Sequence, residues 1–157
     1  MARIRDQRAV PALLIAIALL LVGARVASLL IKPDRENAQV RWVSLEEAAM
    51  LARSTGKPLL LYFTADWCTP CHQLDAEVFA KGEVAAAINE NFVAVKIVDR
   101  QREEGQNTPD IASLQQRYNV RGFPTLQFVD PMGNELARME GFRGREEFER
   151  VMESAIR

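Results

Sequence analysis

Asp66-Trp67-Cys68-Thr69-Pro70-Cys71-His72 holds both cysteines of this 157-residue chain and its one histidine. Two cysteines separated by two residues are too few and too close to staple a whole fold, so their spacing points to chemistry. Placed where a strand runs into a helix, such a pair closes a small disulfide. In the reduced form, the unpaired N–H groups and dipole of the helix start favour an anion at the first thiol. That lowers its pKa and makes Cys68 the attacking thiolate. Cys71, one turn in and shielded, then attacks the resulting mixed disulfide and releases the product. Pro70 suits the first helical turn, where its missing N–H costs little.

Three other chemistries compete for these residues. Cys68-x-x-Cys71-His72 also fits the attachment pattern of c-type haem, with His72 as one axial ligand and Met132, Met139 or Met152 as the other. Small helical proteins suit that role better than a motif flanked by β-like runs. Zinc held by Cys68, Cys71, His72 and Asp75 is poorer, because adjacent Cys71 and His72 can hardly reach one tetrahedral ion. A binding or chaperone module without turnover would leave the cysteine pair unused. Thiol–disulfide exchange therefore leads, with no cofactor implied and His72 read as a solvent-facing residue whose charge tunes the cysteines.

The elements that position the pair follow from pattern. Ser44-Leu45-Glu46-Glu47 is a capping box, opening a helix that ends near Gly56. Pro58–Phe63 is nearly all apolar, as expected of a strand buried on both faces. Thr64–Trp67 turns into a helix beginning near Cys68, with Leu74, Val78 and Phe79 at helical spacing. A second helical piece covers Glu83–Asn89, and Phe92–Val98 is another strand. Arg100–Pro109 reads as a polar loop and Asp110–Tyr118 as a helix. Thr125–Val129 and Glu135–Met139 flank the turn signal Asp130-Pro131-Met132-Gly133-Asn134 and make a hairpin. Arg145–Ile156 is the last helix. The order predicts an α/β sheet with helices on both faces, and Trp42 is read as core.

Upstream lies a different kind of sequence. Val10–Ile31 is 22 residues long with Arg25 its only charge; as a helix it would span about 33 Å, enough for the hydrocarbon core. It has no amphipathic face, which disfavours a buried core helix. With Arg3, Arg5 and Arg8 held inside, residues 1–9 would be cytoplasmic, 10–31 a transmembrane anchor, 32–39 a linker and 40–157 an exported domain. The competing reading is a cleavable signal ending at Val22-Gly23-Ala24. Full spanning length favours the anchor. A net charge of −1 and no dense basic patch with interleaved aromatics give nucleic-acid binding no support.

Lys57–Cys71 (KPLLLYFTADWCTPC) together with Val120-Arg121-Gly122-Phe123-Pro124-Thr125 resembles the thioredoxin-like family. More narrowly, the chain is similar to the C-terminal domain of DsbD-type membrane thiol:disulfide interchange proteins, over about Trp42–Ile156. The resemblance implies a thioredoxin-like fold, with a cis-Pro124 facing the disulfide and Phe123 offering its backbone to an extended substrate. Trp67 would cap the disulfide. It also implies a protein-disulfide reductase at a bacterial inner membrane, its domain in the periplasm. Oxidised exported proteins, including apocytochromes awaiting haem, would be the clients, and a separate membrane protein the electron donor. One departure stands out. Thioredoxins usually carry a buried acid six residues before the first cysteine, where this chain has Tyr62. Asp75, four residues beyond Cys71, is the candidate substitute on the same helix face; Asp66 and Lys96 are weaker ones.

Overall fold

The computed structural model describes residues 38–157, with Leu14, residues 17–20 and Val22 further upstream. The chain divides into two units, residues 1–34 and 35–157. The six upstream residues are helical and exposed; the spanning segment expected over Val10–Ile31 otherwise lies outside the described residues. Among the described residues, no helix is long and apolar enough to cross a membrane. Gln39, expected in the linker, is already tied to the domain, since Asn89 Nδ2 donates to its carbonyl at 2.8 Å.

α1 (Leu45–Thr55) is fixed by its ends. Ser44 Oγ accepts the Glu47 N–H at 3.2 Å, and Gly56 at φ 71° turns its own N–H onto the Ala52 carbonyl. β1 (Leu59–Ala65) then enters the middle of a four-stranded sheet of order β2-β1-β3-β4. It pairs parallel with β2 (Val93–Asp99) and antiparallel with β3 (Thr125–Val129), which pairs antiparallel with β4 (Glu135–Glu140). Successive side chains of a strand point to opposite faces. Leu60 and Tyr62 therefore enter one core cluster and Leu61 and Phe63 the other. Both faces need covering, which is why this strand is apolar throughout. β1 starts one residue after Pro58 and runs two past Phe63, because Thr64 and Ala65 still pair with Val98 and Asp99.

One face is covered by α2 (Thr69–Leu74), α3 (Gly82–Asn91) and α6 (Arg145–Ile156), the other by α1 and α5 (Pro109–Arg117). On the first face Phe79 meets Trp42 and Phe148 edge-on, at centroid distances of 5.0 and 5.7 Å. Such pairs contribute about 0.5–1.5 kcal/mol each beyond the area they bury.

Three expectations need correction. The helix expected to continue past Leu74 widens into a π-turn over Asp75–Phe79, with the Ala80 N–H reaching Asp75 O at 2.8 Å. The wider turn lets the neighbours Val78 and Phe79 both face the core and leaves Asp75 at its shoulder. Arg100–Pro109 is not wholly loop, since a short helix α4 (Gln101–Glu104) ends at Gly105 and Pro109 begins α5. Buried Asp99 organises this stretch by accepting from the Gln101 N–H, Asn107 Nδ2 and Gln115 Nε2. Trp42 is only partly buried, at the β2 edge, where it bridges Ala94 and packs against the core.

Candidate redox site

Cys68 is the N-cap of α2 with Pro70 in the first turn, so the first cysteine stands outside the helix and Cys71 inside it. The Cys68 N–H is tied to the Ala65 carbonyl at the end of β1 (3.0 Å). The sulfurs are joined, with Cα atoms 5.2 Å apart. The Cys71 N–H donates to Cys68 Sγ at 3.2 Å. That donor stabilises a thiolate at Cys68 once the bond opens. Exposure does not separate the two cysteines in this oxidised form, since Cys68 is 2% and Cys71 1% exposed. Their asymmetry lies in position and neighbours.

On the outer side stands Trp67, 45% exposed. Phe123 meets its ring edge-on at 5.9 Å, and the Arg102 guanidinium lies 4.4 Å over it. Asp66 pairs with Arg100 at 2.6 Å, both well exposed. His72 also faces out, its Nε2 donating to the Asp66 carbonyl at 2.9 Å, the only role open to that nitrogen against a carbonyl. The Phe123–Pro124 bond is cis. Its loop is held at both ends, as Thr125 Oγ1 donates to Gly122 O and the Gly141 N–H to Pro124 O, each at 2.8 Å. Phe123 packs against the core cluster that contains both cysteines.

The inner side is polar within an apolar shell. Tyr62 is fully buried, and its hydroxyl donates to the Cys71 carbonyl at 3.3 Å. Burial pushes the phenol far above its ordinary pKa; the Thr64 hydroxyl opposes this in part, and the nearby Asp75 carboxylate adds to it. Tyr62 therefore stays neutral and keeps the proton it donates to Cys71. The β1–β2 register sets Lys96 opposite Tyr62. Its ammonium lies 5.4 Å from the Tyr62 ring and 2.8 Å from Asp75 Oδ2. The other Asp75 oxygen, Oδ1, is buried without a hydrogen-bond partner.

The model of the family described as "Thioredoxin-like domain" matches residues 45–156. The chain belongs to the thioredoxin-like family. Among curated relatives, DsbD thiol:disulfide interchange protein of Yersinia pestis is 28% identical over 145 residues, covering 87% of this chain and 23% of that protein. The DsbD of Ralstonia nicotianae is 32% identical over 133 residues, covering 82% and 21%. The chain thus spans about a quarter or less of these relatives. The disulfide bond reductase DsbH of Chlamydia pneumoniae is 30% identical over 105 residues, covering 65% of this chain and 63% of that one. A solved DsbH oxidoreductase superposes with TM-score 0.67 at 27% identity, covering 80% of this chain and 90% of that one. The oxidised C-terminal domain of Neisseria meningitidis DsbD gives 0.55 at 26%, covering 75% and 98%.

In this thioredoxin-like domain the two cysteines are bonded to each other. Met139 and Met152 are packed in the core and Met132 lies exposed in the hairpin turn, so these methionines serve packing and turn positions. Among the described residues no group of three or more histidines, cysteines or carboxylates is placed to hold a metal. Sequence reasoning missed Arg102 on Trp67 and the Tyr62 hydroxyl on Cys71. The first was hidden in a stretch read as loop; the second in a residue judged only by its acidity.

Proposed function

We propose that this protein is an exported, membrane-held protein-disulfide reductase of the periplasmic side of a bacterial inner membrane. The observation that carries the exchange chemistry is the Cys71 N–H aimed at Cys68 Sγ from within the helix that Cys68 caps. In the reduced state the Cys68 thiolate attacks a client disulfide, one client sulfur leaves as thiolate, and a mixed disulfide forms. Cys71 then gives up its proton and attacks Cys68 Sγ, the second client thiol leaves, and the pair closes. Two electrons pass from the dithiol to the client.

The reducing direction rests on the relatives, whose names include disulfide bond reductase and thiol:disulfide interchange protein. The anchor rests on the spanning length of Val10–Ile31 and the arginines before it. An exported compartment oxidises dithiols, so a reductase there needs recharging. A membrane electron donor and oxidised exported proteins are the corresponding partners. Asp75, with its unpartnered Oδ1, is read as acceptor of the Cys71 proton; Trp67, Phe123 and Pro124 are read as the client-facing surface.

Acid-quenched alkylation in growing cells tests the direction. A resting pair found mostly reduced, and oxidised only when the donor is removed, fits the reductase. A pair fully oxidised in both backgrounds makes the protein an oxidant or isomerase. Intact mass tests the anchor, because a mature N-terminus at Arg25 would make residues 1–24 a cleaved signal peptide.

A further inference from the structure

Against Trp67, the residue before Cys68, lies an open depression of about 420 Å³, walled also by Phe123 and Gly122 and flanked by Arg102 and Arg121. Arg102 lies on the Trp67 ring, and Arg121 Nε donates to Asn119 Oδ1 at 3.2 Å. Neither guanidinium has a carboxylate within ion-pair distance among the described residues, whereas Arg100 and Arg138 each have one and Arg145 has two. The acid lining the depression, Asp99, is 7% exposed and accepts from three donors, the Gln101 N–H, Asn107 and, from α5, Gln115. Two exposed guanidiniums, one of them over the Trp67 ring, thus flank the depression without an ion-pair partner among the described residues.

We propose that this groove selects client segments carrying an aspartate or glutamate next to the reactive cysteine. The inference rests on the exchange reading above and adds a specificity to it. Trp67 is both the neighbour of Cys68 and a wall of the groove, so a client cysteine bonded to Cys68 brings its adjacent side chain there. Residues 121–124 precede the paired ladder, which begins at Thr125, so an extended segment can lie along them. A carboxylate between two guanidiniums forms charge-assisted hydrogen bonds, and its stem rests on the indole and phenyl rings. A lysine at the same place meets like charge.

The test uses the full chain, pre-reduced, in single turnover with disulfide-linked peptide homodimers. The peptides differ only at the residue before or after cysteine, which is Glu, Gln or Lys. The glutamate peptide should be reduced about three- to tenfold faster than the lysine peptide at low salt, and the gap should shrink as salt rises. Combining Arg102→Gln with Arg121→Gln should bring the ratio to about one, and Arg102→Glu with Arg121→Glu should invert it. Arg150→Gln on α6, which does not line the groove, should keep it. Turnover with equal Glu and Lys rates in the parent protein, or a preference that survives the double Gln variant, overturns the proposal alone. No turnover of any peptide overturns the exchange reading, and the proposal with it.

Discussion

Cys68 and Cys71 share one turn of helix and one bond, yet the protein surrounds them with opposite materials. Around Cys68 the neighbours are exposed: an indole at the surface, a guanidinium upon it, and the Asp66–Arg100 pair in solvent. Around Cys71 lie a phenol with no exposed surface and, at the π-turn shoulder, a carboxylate paired with a lysine, both about a third exposed. Since the two cysteines are equally buried in the oxidised form, accessibility is not what distinguishes them. The outer surroundings suit contact with another chain, and the inner ones suit moving a proton away from a shielded thiol.

The sharpest way to break this comparison is to remove one sulfur at a time. Cys68→Ser should abolish exchange, whereas Cys71→Ser should accumulate mixed disulfides through Cys68, read as adducts on non-reducing gels. In the reduced parent, iodoacetamide should label Cys68 well before Cys71. Equal labelling, or Cys71 reacting first, would reverse the roles.

Stability separates the two sides next. Phe79 packs against Trp42, Tyr62 and Phe148 beneath the inner side. Phe79→Ala should cost about 3–5 kcal/mol in denaturant unfolding. Trp67→Ala, at a half-exposed position, should cost far less while slowing exchange with protein clients. Similar losses of stability would show that the outer rim is structural too.

A subtler contrast concerns the two acids. Asp75→Asn should slow resolution of the mixed disulfide by up to about 10²-fold, since general-base loss starts near that size and water offers another acceptor. Alkylation of Cys68 should hardly change. Asp66→Asn removes only an exposed ion pair, of a kind that contributes about 0–1 kcal/mol, and should leave stopped-flow resolution rates nearly alone. A slow Asp66 variant beside a normal Asp75 variant would move proton handling to the outer side.

The smallest effect belongs to Tyr62. Tyr62→Phe should lose about 1 kcal/mol at neutral pH with the hydrogen bond to Cys71. The raised folded-state pKa also fixes a sign. Above about pH 10 the unfolded phenol loses its proton while the folded one keeps it, so stability falls by up to about 1.4 kcal/mol per pH unit. Chemical denaturation at pH 9 and 11 should show a smaller decline in the Phe variant than in the parent. An identical decline in both would mean that the phenol ionises freely in the fold.

What the sequence determined alone was whatever depends on near neighbours. Ser44 and Gly56 bound a helix because a hydroxyl and a residue free to adopt positive φ satisfy orphan backbone groups locally. Asp130 and Asn134 close the hairpin by bonds within five residues. The doubly covered strand was legible from its unbroken apolar run, and Cys68 at a helix start from Pro70 and the turn before it. Tertiary structure decided the rest of the site. Asp75 meets Lys96 across 21 residues only because β2 lies parallel to β1 in one register. The π-turn answers a core that must take Val78 and Phe79 together, a demand no helical periodicity expresses. Arg102 reaches Trp67 from a single helical turn too short to announce itself, held beneath by the buried Asp99. Spacing reports which chemistry is available, but the partners that tune it are brought in by strand pairing and packing, over separations that no local pattern encodes.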